Sequence, residues 1–291
     1  MSIPKDYIFT PGTCLKKDFY NVLCNALLGA GWKNITSNYA TDGDVFTSTG
    51  NPGDKALIIN MRKVDYDGTA DVSTTGGTIV SFRFPMEYTP GATGSAGSFV
   101  RPAGWLRMNI VPAGTTNAGG MGALDAVFTY KIYTDKSKLM VGIEYPPASI
   151  AKPLFIYMGL PDSVYATDSG NRGILYGCTN FSQADLASSI TVANTSDDMP
   201  SNSAPYALST FATLPVKSPN NSGAYAISEI YYGSNTEGVR GKLDGVLALQ
   251  NMNIRTGMIL QLGDAKYYVV QCALTYGYNS FPSSALALRI S

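Results

Sequence analysis

Apolar and polar positions follow two periods along the chain, and the change from one to the other is the first structural signal in it. Leu15, Phe19, Val22, Leu23, Ala26 and Leu27 recur at i, i+4, i+7, i+8, i+11 and i+12, the spacing of one apolar stripe on an α-helix. Thr13 is placed to cap its start and Gly29 and Gly31 to end it, while Lys16, Lys17, Asn21 and Asn25 fall on the other face. The pattern predicts an amphipathic helix lying on a sheet. Beyond it the period becomes two. Val80, Phe82, Phe84, Met86 and Tyr88 alternate with Ser81, Arg83, Pro85 and Glu87, as in a strand with one wet face, and Pro85 points to an edge or bulge nearby. The clearest hairpin runs through Leu124, Ala126, Phe128, Tyr130 and Ile132, turns at Thr134-Asp135-Lys136-Ser137, and returns through Leu139, Val141, Ile143 and Tyr145. Shorter strands are expected at Val45 to Ser48, Lys55 to Arg62, Trp105 to Val111, Pro153 to Met158 and Gly173 to Cys178.

The last third repeats the habit. Met258 to Leu262, a Gly263-Asp264 turn and Lys266 to Gln271 read as a hairpin apolar on both faces, hence central, with Ala285 to Ile290 as a closing strand. Between the halves, Asn180 to Ala224 is rich in Ser, Asn, Thr and Pro and shows little periodicity, so it reads as a linker or an arm that orders against a neighbouring subunit. The Gly-rich stretches Thr89 to Gly104 and Pro112 to Ala123 bracket the Trp105 strand as loops. The expected fold is mainly β, with antiparallel β-sandwich-like domains and one N-terminal helix. Residues 1–165 hold the helix and a first β domain, and residues 166–291 a second with the 180–224 arm or linker.

Composition narrows the function. The chain has 291 residues, 45% of them hydrophobic but only 14% charged, well below the roughly 25% usual in soluble domains. Lys and Arg number 21 and so do Asp and Glu, which leaves no electrostatic footprint for nucleic acid and no repulsion between copies. The absence of histidine removes Ser/His/Asp and Cys/His chemistry and His-ligated metal sites built from this chain alone. Met1 to Thr10 lacks the apolar core of a secretory signal, and no apolar run reaches the length of a membrane span. The four cysteines, Cys14, Cys24, Cys178 and Cys272, form no C-x-x-C pair and are expected as free thiols in a reducing cytosol, other pairings staying open.

Candidate chemistry is thin. Asp65-Tyr66-Asp67-Gly68 with Asp71 resembles the opening of a calcium loop but lacks the Glu at the twelfth position, and Asp42-Gly43-Asp44 lies near; turn formation is the favoured reading of both. Asp168-Ser169-Gly170 matches an aspartic-protease triplet without the second triplet that shares the proton. Of the glutamates Glu87, Glu144, Glu229 and Glu237, two lie on strands expected to turn polar groups outward. No catalytic, cofactor or metal residue is assigned, and the chain is read as not an enzyme. Tyrosine occurs 19 times, and Tyr225, Tyr231, Tyr232, Tyr267, Tyr268, Tyr276 and Tyr278 gather in the last quarter, where strand packing, a subunit interface or a carbohydrate platform would each use them.

Three stretches carry a resemblance. Gly31-Trp32-Lys33-Asn34-Ile35-Thr36-Ser37-Asn38 through Asp42-Gly43-Asp44-Val45-Phe46-Thr47-Ser48-Thr49-Gly50 resembles a pattern in virion proteins of tailed bacteriophages, where a helix, a Gly-Trp and a D-x-D-V-F-x-S-x-G run lead into a β-domain. Phe155-Ile156-Tyr157-Met158-Gly159-Leu160-Pro161 is similar to the same group, as is the ending from Lys266-Tyr267-Tyr268-Val269-Val270-Gln271 through Asn279-Ser280-Phe281-Pro282 to Ala287-Leu288-Arg289-Ile290. The resemblance implies a structural tail-tip, baseplate or neck subunit, folded in the host cytoplasm and assembled into the virion with other virion proteins and copies of itself. It brings no catalytic residues. The alternative is a receptor-binding module that grips a host surface glycan through the Tyr-rich C-terminal half.

Overall fold

A computed structural model describes residues 7–37, 43–52, 56–64, 79–85, 87–100, 106–109, 127–144, 154–160, 162–163, 174–177, 189–192, 206–207, 227–234, 238–249, 254–272 and 284–291. The fold is mainly β, built from antiparallel sheets with one α-helix among the described residues. A six-stranded central sheet runs in the spatial order Thr10–Leu15, Val127–Thr134, Lys138–Glu144, Leu154–Gly159, Ile174–Gly177 and Ser189–Val192. A five-stranded sheet, Lys33–Asn34, Asp44–Ser48, Leu57–Val64, Ile79–Arg83 and Leu106–Asn109, lies on the helix side. The C-terminal sheet orders Tyr206–Ala207, Ile227–Ser234, Gly238–Leu249, Ser284–Arg289, Ala265–Cys272 and Ile259–Leu262, with Asp162–Ser163 paired to Gly238–Leu249 off that path.

The layers stack because the central sheet is apolar on both faces. Leu139, Val141, Ile143, Ile156 and Met158 join one buried cluster with Phe19, Leu23 and Leu27 of the helix and Phe46, Ile59, Met61 and Phe82 of the five-stranded sheet. Met140, Phe155 and Tyr157, on the opposite face, join a second cluster with Leu243, Val246, Val270, Leu286 and Leu288 of the C-terminal sheet. Every residue from Lys138 to Ile143 is buried, so the alternation expected for this strand conceals a second dry face. Gly142 makes the second contact close: a Cβ there would stand 2.7 Å from Leu288 Cδ1 and 3.3 Å from Val270 Cγ2. Val45, Ile58 and Tyr88 form a further cluster with Phe99, under the ribbon of Glu87–Thr89 and Ser98–Val100.

The helix is shorter than its period predicts. It spans Phe19–Gly29, after a 3₁₀ turn at Lys16–Asp18, and Thr13 and Leu15 belong to the strand Thr10–Leu15, where Thr13 pairs with Thr129. The strand's ladder with Val127–Thr134 outweighs the helical spacing of Leu15, and Asp18 takes the cap position. The other end forms as expected. Gly31, at φ +89°, reverses the chain, its N–H bonding the Leu28 carbonyl and that of Trp32 the Leu27 carbonyl, the Schellman arrangement.

The hairpin around Asp135 forms over Val127–Thr134 and Lys138–Glu144, with Thr134 opposite Leu139, and Leu124, Ala126 and Tyr145 of the expected run lie outside the described residues. Asp135 Oδ1 accepts from the N–H groups of Ser137 at 2.7 Å and Lys138 at 2.9 Å, which closes the turn. The expected strand over Val80 to Tyr88 is two elements. Ile79–Arg83 is an interior strand, and Glu87–Thr89 belongs to the separate ribbon, because Pro85 cannot continue a ladder. In the C-terminal hairpin Ala265–Cys272 is interior as read, but Ile259–Leu262 is an edge, and the closing strand Ser284–Arg289 is interior too. Most of Asn180 to Ala224 lies outside the described residues; within it, Ser189–Val192 and Tyr206–Ala207 pair with strands of the chain's own sheets. Strands on either side of residue 165 share the central sheet.

Candidate functional site

Three polar clusters tie the layers together. Tyr20, on the helix, donates its hydroxyl to Asp44 Oδ2 at 2.7 Å and lies 3.0 Å from the Met61 carbonyl, and Asn34 Nδ2 donates to Asp44 Oδ1 at 3.0 Å. Burial, reinforced by Cys24 and Asp44, pushes the Tyr20 phenol far above its usual range, so it stays a donor. Trp32 Nε1 donates to the Asp135 carbonyl at 2.7 Å, pinning the helix exit to the central hairpin.

The second cluster joins the N-terminal segment to both neighbouring sheets. Tyr7 donates to Asp244 Oδ2 at 3.2 Å, Lys138 Nζ donates to the Tyr7 hydroxyl at 3.3 Å, and Lys138 pairs with Asp244 at 3.5 Å. The Tyr7 ring meets Tyr133 edge-on, with centroids 5.1 Å apart, and a Cβ at Gly245 would stand 2.7 Å from Tyr7 Cγ. Tyr133 in turn donates to Asp135 Oδ2 at 2.8 Å. Desolvation raises the Tyr7 phenol far above its normal range, with the Asp244 charge next in effect.

The third cluster lies between Lys131, Glu144 and the C-terminal hairpin. Tyr268 donates its hydroxyl to Glu144, Lys131 Nζ stands 4.0 Å from Glu144 Oε2, and the ammonium sits 3.9 Å from the Tyr268 ring centroid. Burial lowers the Lys131 pKa, partly offset by Glu144, and burial followed by the Glu144 contact raises the Tyr268 phenol. Phenols that hold their protons serve as donors, not bases. All three clusters join separate segments of the fold, the work of fasteners.

The candidates read from sequence do not converge. Asp65, Asp67 and Asp71 lie outside the described residues, as do Asp42, the Asp168-Ser169-Gly170 triplet, Glu237, Tyr225, Tyr276, Tyr278 and Cys178. Asp44 is engaged by Tyr20 and Asn34, Glu144 by Tyr268, and Glu229 by Lys242 Nζ at 3.0 Å. Glu87 is exposed. Tyr267 and Tyr268 are core residues, 2% and 5% exposed, which removes both as sugar platforms and fits their packing in strands. Among the described residues no three His, Cys, Asp or Glu side chains gather as a metal ion requires, and no helix is long and apolar enough to cross a membrane. Cys14 and Cys24 are free thiols, both pushed up to about 12, by burial first and then by Asp18 and Asp44 respectively.

Among the described residues the large apolar side chains left exposed are Ile8, Leu28, Val100, Val127 and Ile259. Ile259, at the outer edge of the C-terminal sheet, is 50% exposed in a strand without a charged residue. Sequence reasoning missed this edge because the strand's apolar run reads as a buried one. No protein-family model matches the chain, and no curated protein matches it.

Proposed function

We propose that the chain is a structural subunit of a tailed-phage virion, in the tail tip or baseplate, and that it works by protein–protein assembly without chemistry of its own. The observation that supports this reading is the division of labour just described. The three polar clusters built around Tyr20, Tyr7 and Tyr268 fasten three stacked layers, while among the described strands an uncharged sheet edge with a half-exposed Ile259 lies at the surface. A rigid body with an open backbone edge suits a part that repeats or docks. The stretches that carry the resemblance fall on interlayer positions: Trp32 bonds the central hairpin, Phe46 and Ile156 share one core cluster, and Tyr268, Val270 and Leu288 share another. In this chain, then, those stretches hold the layers together.

The test is direct. An antibody against the chain is applied to particles purified from the strain that encodes it, and the particles are imaged by negative stain while their proteins are counted by mass spectrometry. Labelling at the tail end, with the chain in stoichiometric amount, is expected. Particles that lack the chain although infected cells contain it would overturn the proposal.

A further inference from the structure

We infer that the edge strand Ile259–Leu262 pairs with the same strand of a second copy, antiparallel about a two-fold axis at Leu260, so that two C-terminal sheets become one continuous sheet. This names the partner within the assembly reading and rests on it only for its biological setting.

The hydrogen-bond register carries the inference. Leu262 closes the hairpin opposite Ala265, and Leu260 stands opposite Tyr267, with the Val269 N–H bonding the Met258 carbonyl at 2.9 Å. In an antiparallel ladder these alternate residues turn their N–H and C=O groups inward, so those of Ile259 and Gln261 turn outward. No described strand lies beyond them. Two outward residues placed symmetrically about Leu260 are self-complementary. Ile259 of one copy meets Gln261 of the other in a hydrogen-bonded pair, the reverse pair forms across the axis, and Leu260 faces Leu260.

The side chains agree with this register. Protected edges usually carry a lysine, a proline or a bulge; the strand ILQL has neither lysine nor proline, and the irregularity beside it, where Gly257 and Met258 both bond Val269, comes before Ile259 and leaves the outward groups of Ile259 and Gln261 in register. Ile259 is 50% exposed, and pairing would cover part of it. Exposed Arg255 precedes the strand and exposed Asp264 follows it, so antiparallel pairing lays the cationic end of each edge along the anionic end of the other; Lys266 stands one strand further in. A chain with zero net charge adds no general repulsion between copies. These features favour a second copy over an unrelated strand, which would need to supply both the register and the charges.

Cross-linking reads the register. Leu260 residues in a non-hydrogen-bonded pair would have Cα atoms about 4.5 Å apart, within the range of a disulfide. Two Ile259 residues would be roughly 8 Å apart, from the ~4.8 Å strand spacing and the ~3.4 Å rise per residue, which is outside it. Under mild oxidation Leu260→Cys is expected to give a disulfide-linked dimer, while Ile259→Cys and the wild-type chain, with its own cysteines, do not. In sedimentation velocity the wild type should dimerise as concentration rises, and Gln261→Pro, which removes an outward N–H, should weaken the dimer at least tenfold. Circular dichroism and melting confirm that each variant is folded. A wild type that stays monomeric, a Leu260→Cys chain that does not cross-link, or an Ile259→Cys chain that cross-links equally well would overturn the pairing. Antibody labelling of particles decides the assembly reading separately: labelled particles without this dimer sink the pairing alone, and the dimer without labelled particles sinks the virion role alone.

Discussion

Replacing Gly142 by alanine tests the contact between the central and C-terminal sheets through its sign. A glycine inside a strand costs roughly 0.5–1 kcal/mol relative to alanine, so at an open position the change would stabilise the fold. At Gly142 the new methyl would stand 2.7 Å from Leu288 Cδ1 and 3.3 Å from Val270 Cγ2, and overpacking of this kind costs about 1–3 kcal/mol. The net expectation is a loss of about 0–2.5 kcal/mol. Leu288→Ala alone should cost about 2–5 kcal/mol, because Leu288 is fully buried. In that background the methyl enters the space Leu288 leaves, and Gly142→Ala should become neutral or stabilising, giving a coupling of about 1–3 kcal/mol between the two sites. Val270 remains at 3.3 Å and sets the lower end of that range. Urea unfolding of the wild type, both single variants and the double variant, with m-values held in common, measures all four corners. Gly29→Ala, where nothing lies within 4 Å, is the control and should stabilise by about 0.5–1 kcal/mol. Additive single changes, or a Gly142→Ala that stabilises the wild type, would refute the packing of Leu288 onto the central sheet.

The remaining expectations concern single contacts. Leu23→Asp places a charge at a fully buried position and should cost more than about 4 kcal/mol, whereas Lys17→Asp, on an exposed side chain, should stay within about 0.5 kcal/mol; comparable losses in urea unfolding would refute the buried face of the helix. Tyr268→Phe removes a donor to a carboxylate and should cost about 1.5–3 kcal/mol, with Lys131 and Thr129 still beside Glu144; a neutral result would remove the third cluster as a fastener. Raising Cys14 and Cys24 from 9.0 to about 12 favours the fold by keeping both thiols protonated. That contribution is complete below pH 9 and disappears as pH rises to 12, so the urea midpoint should fall between pH 9 and 12, with the buried phenols acting in the same direction. With both pKa values raised and both side chains partly buried, the thiols should react with iodoacetamide at pH 8 more slowly in the native chain than after unfolding; equal rates at either would contradict the raised pKa.

Some of this was legible in the sequence for a physical reason. The hairpin at Asp135 announces itself because its turn chemistry and its alternation are local, and the helix end because Gly31 supplies a positive φ. The long strand Gly238–Leu249 and its partner Ile227–Ser234 escaped detection. Register shifts between Glu229 and Tyr231 and between Tyr232 and Gly233 break the period of two, and Gly245 at φ +82° interrupts it again. The helix start was misplaced because Leu15 satisfies both periods, and only the ladder with Val127 decides between them. The edge at Ile259 was read as interior for a related reason: hydrophobicity reports an apolar surface, whether a layer of the same chain or another molecule is to cover it. The Tyr-rich quarter was ambiguous because strand packing and a sugar platform call for the same residue, and burial of Tyr267 and Tyr268 separates them.

The N–H of Phe9 bonds the carbonyl of Arg289 at 2.8 Å, and the Phe9 ring lies in the cluster that holds Leu286 and Leu288. On the ribosome that contact comes late. At about 5–20 residues per second, the chain between these two positions takes roughly 14–56 s to synthesise. Throughout that interval Phe9 and its neighbour Tyr7 are made but lack their final resting place, while the hairpin at Asp135 can already form. The segment around Phe9 is therefore secured only by a strand made about 280 residues after it. Until the strand Ser284–Arg289 emerges, the nascent chain holds an aromatic segment without its partner, and a product cut before Ser284 would never cover it.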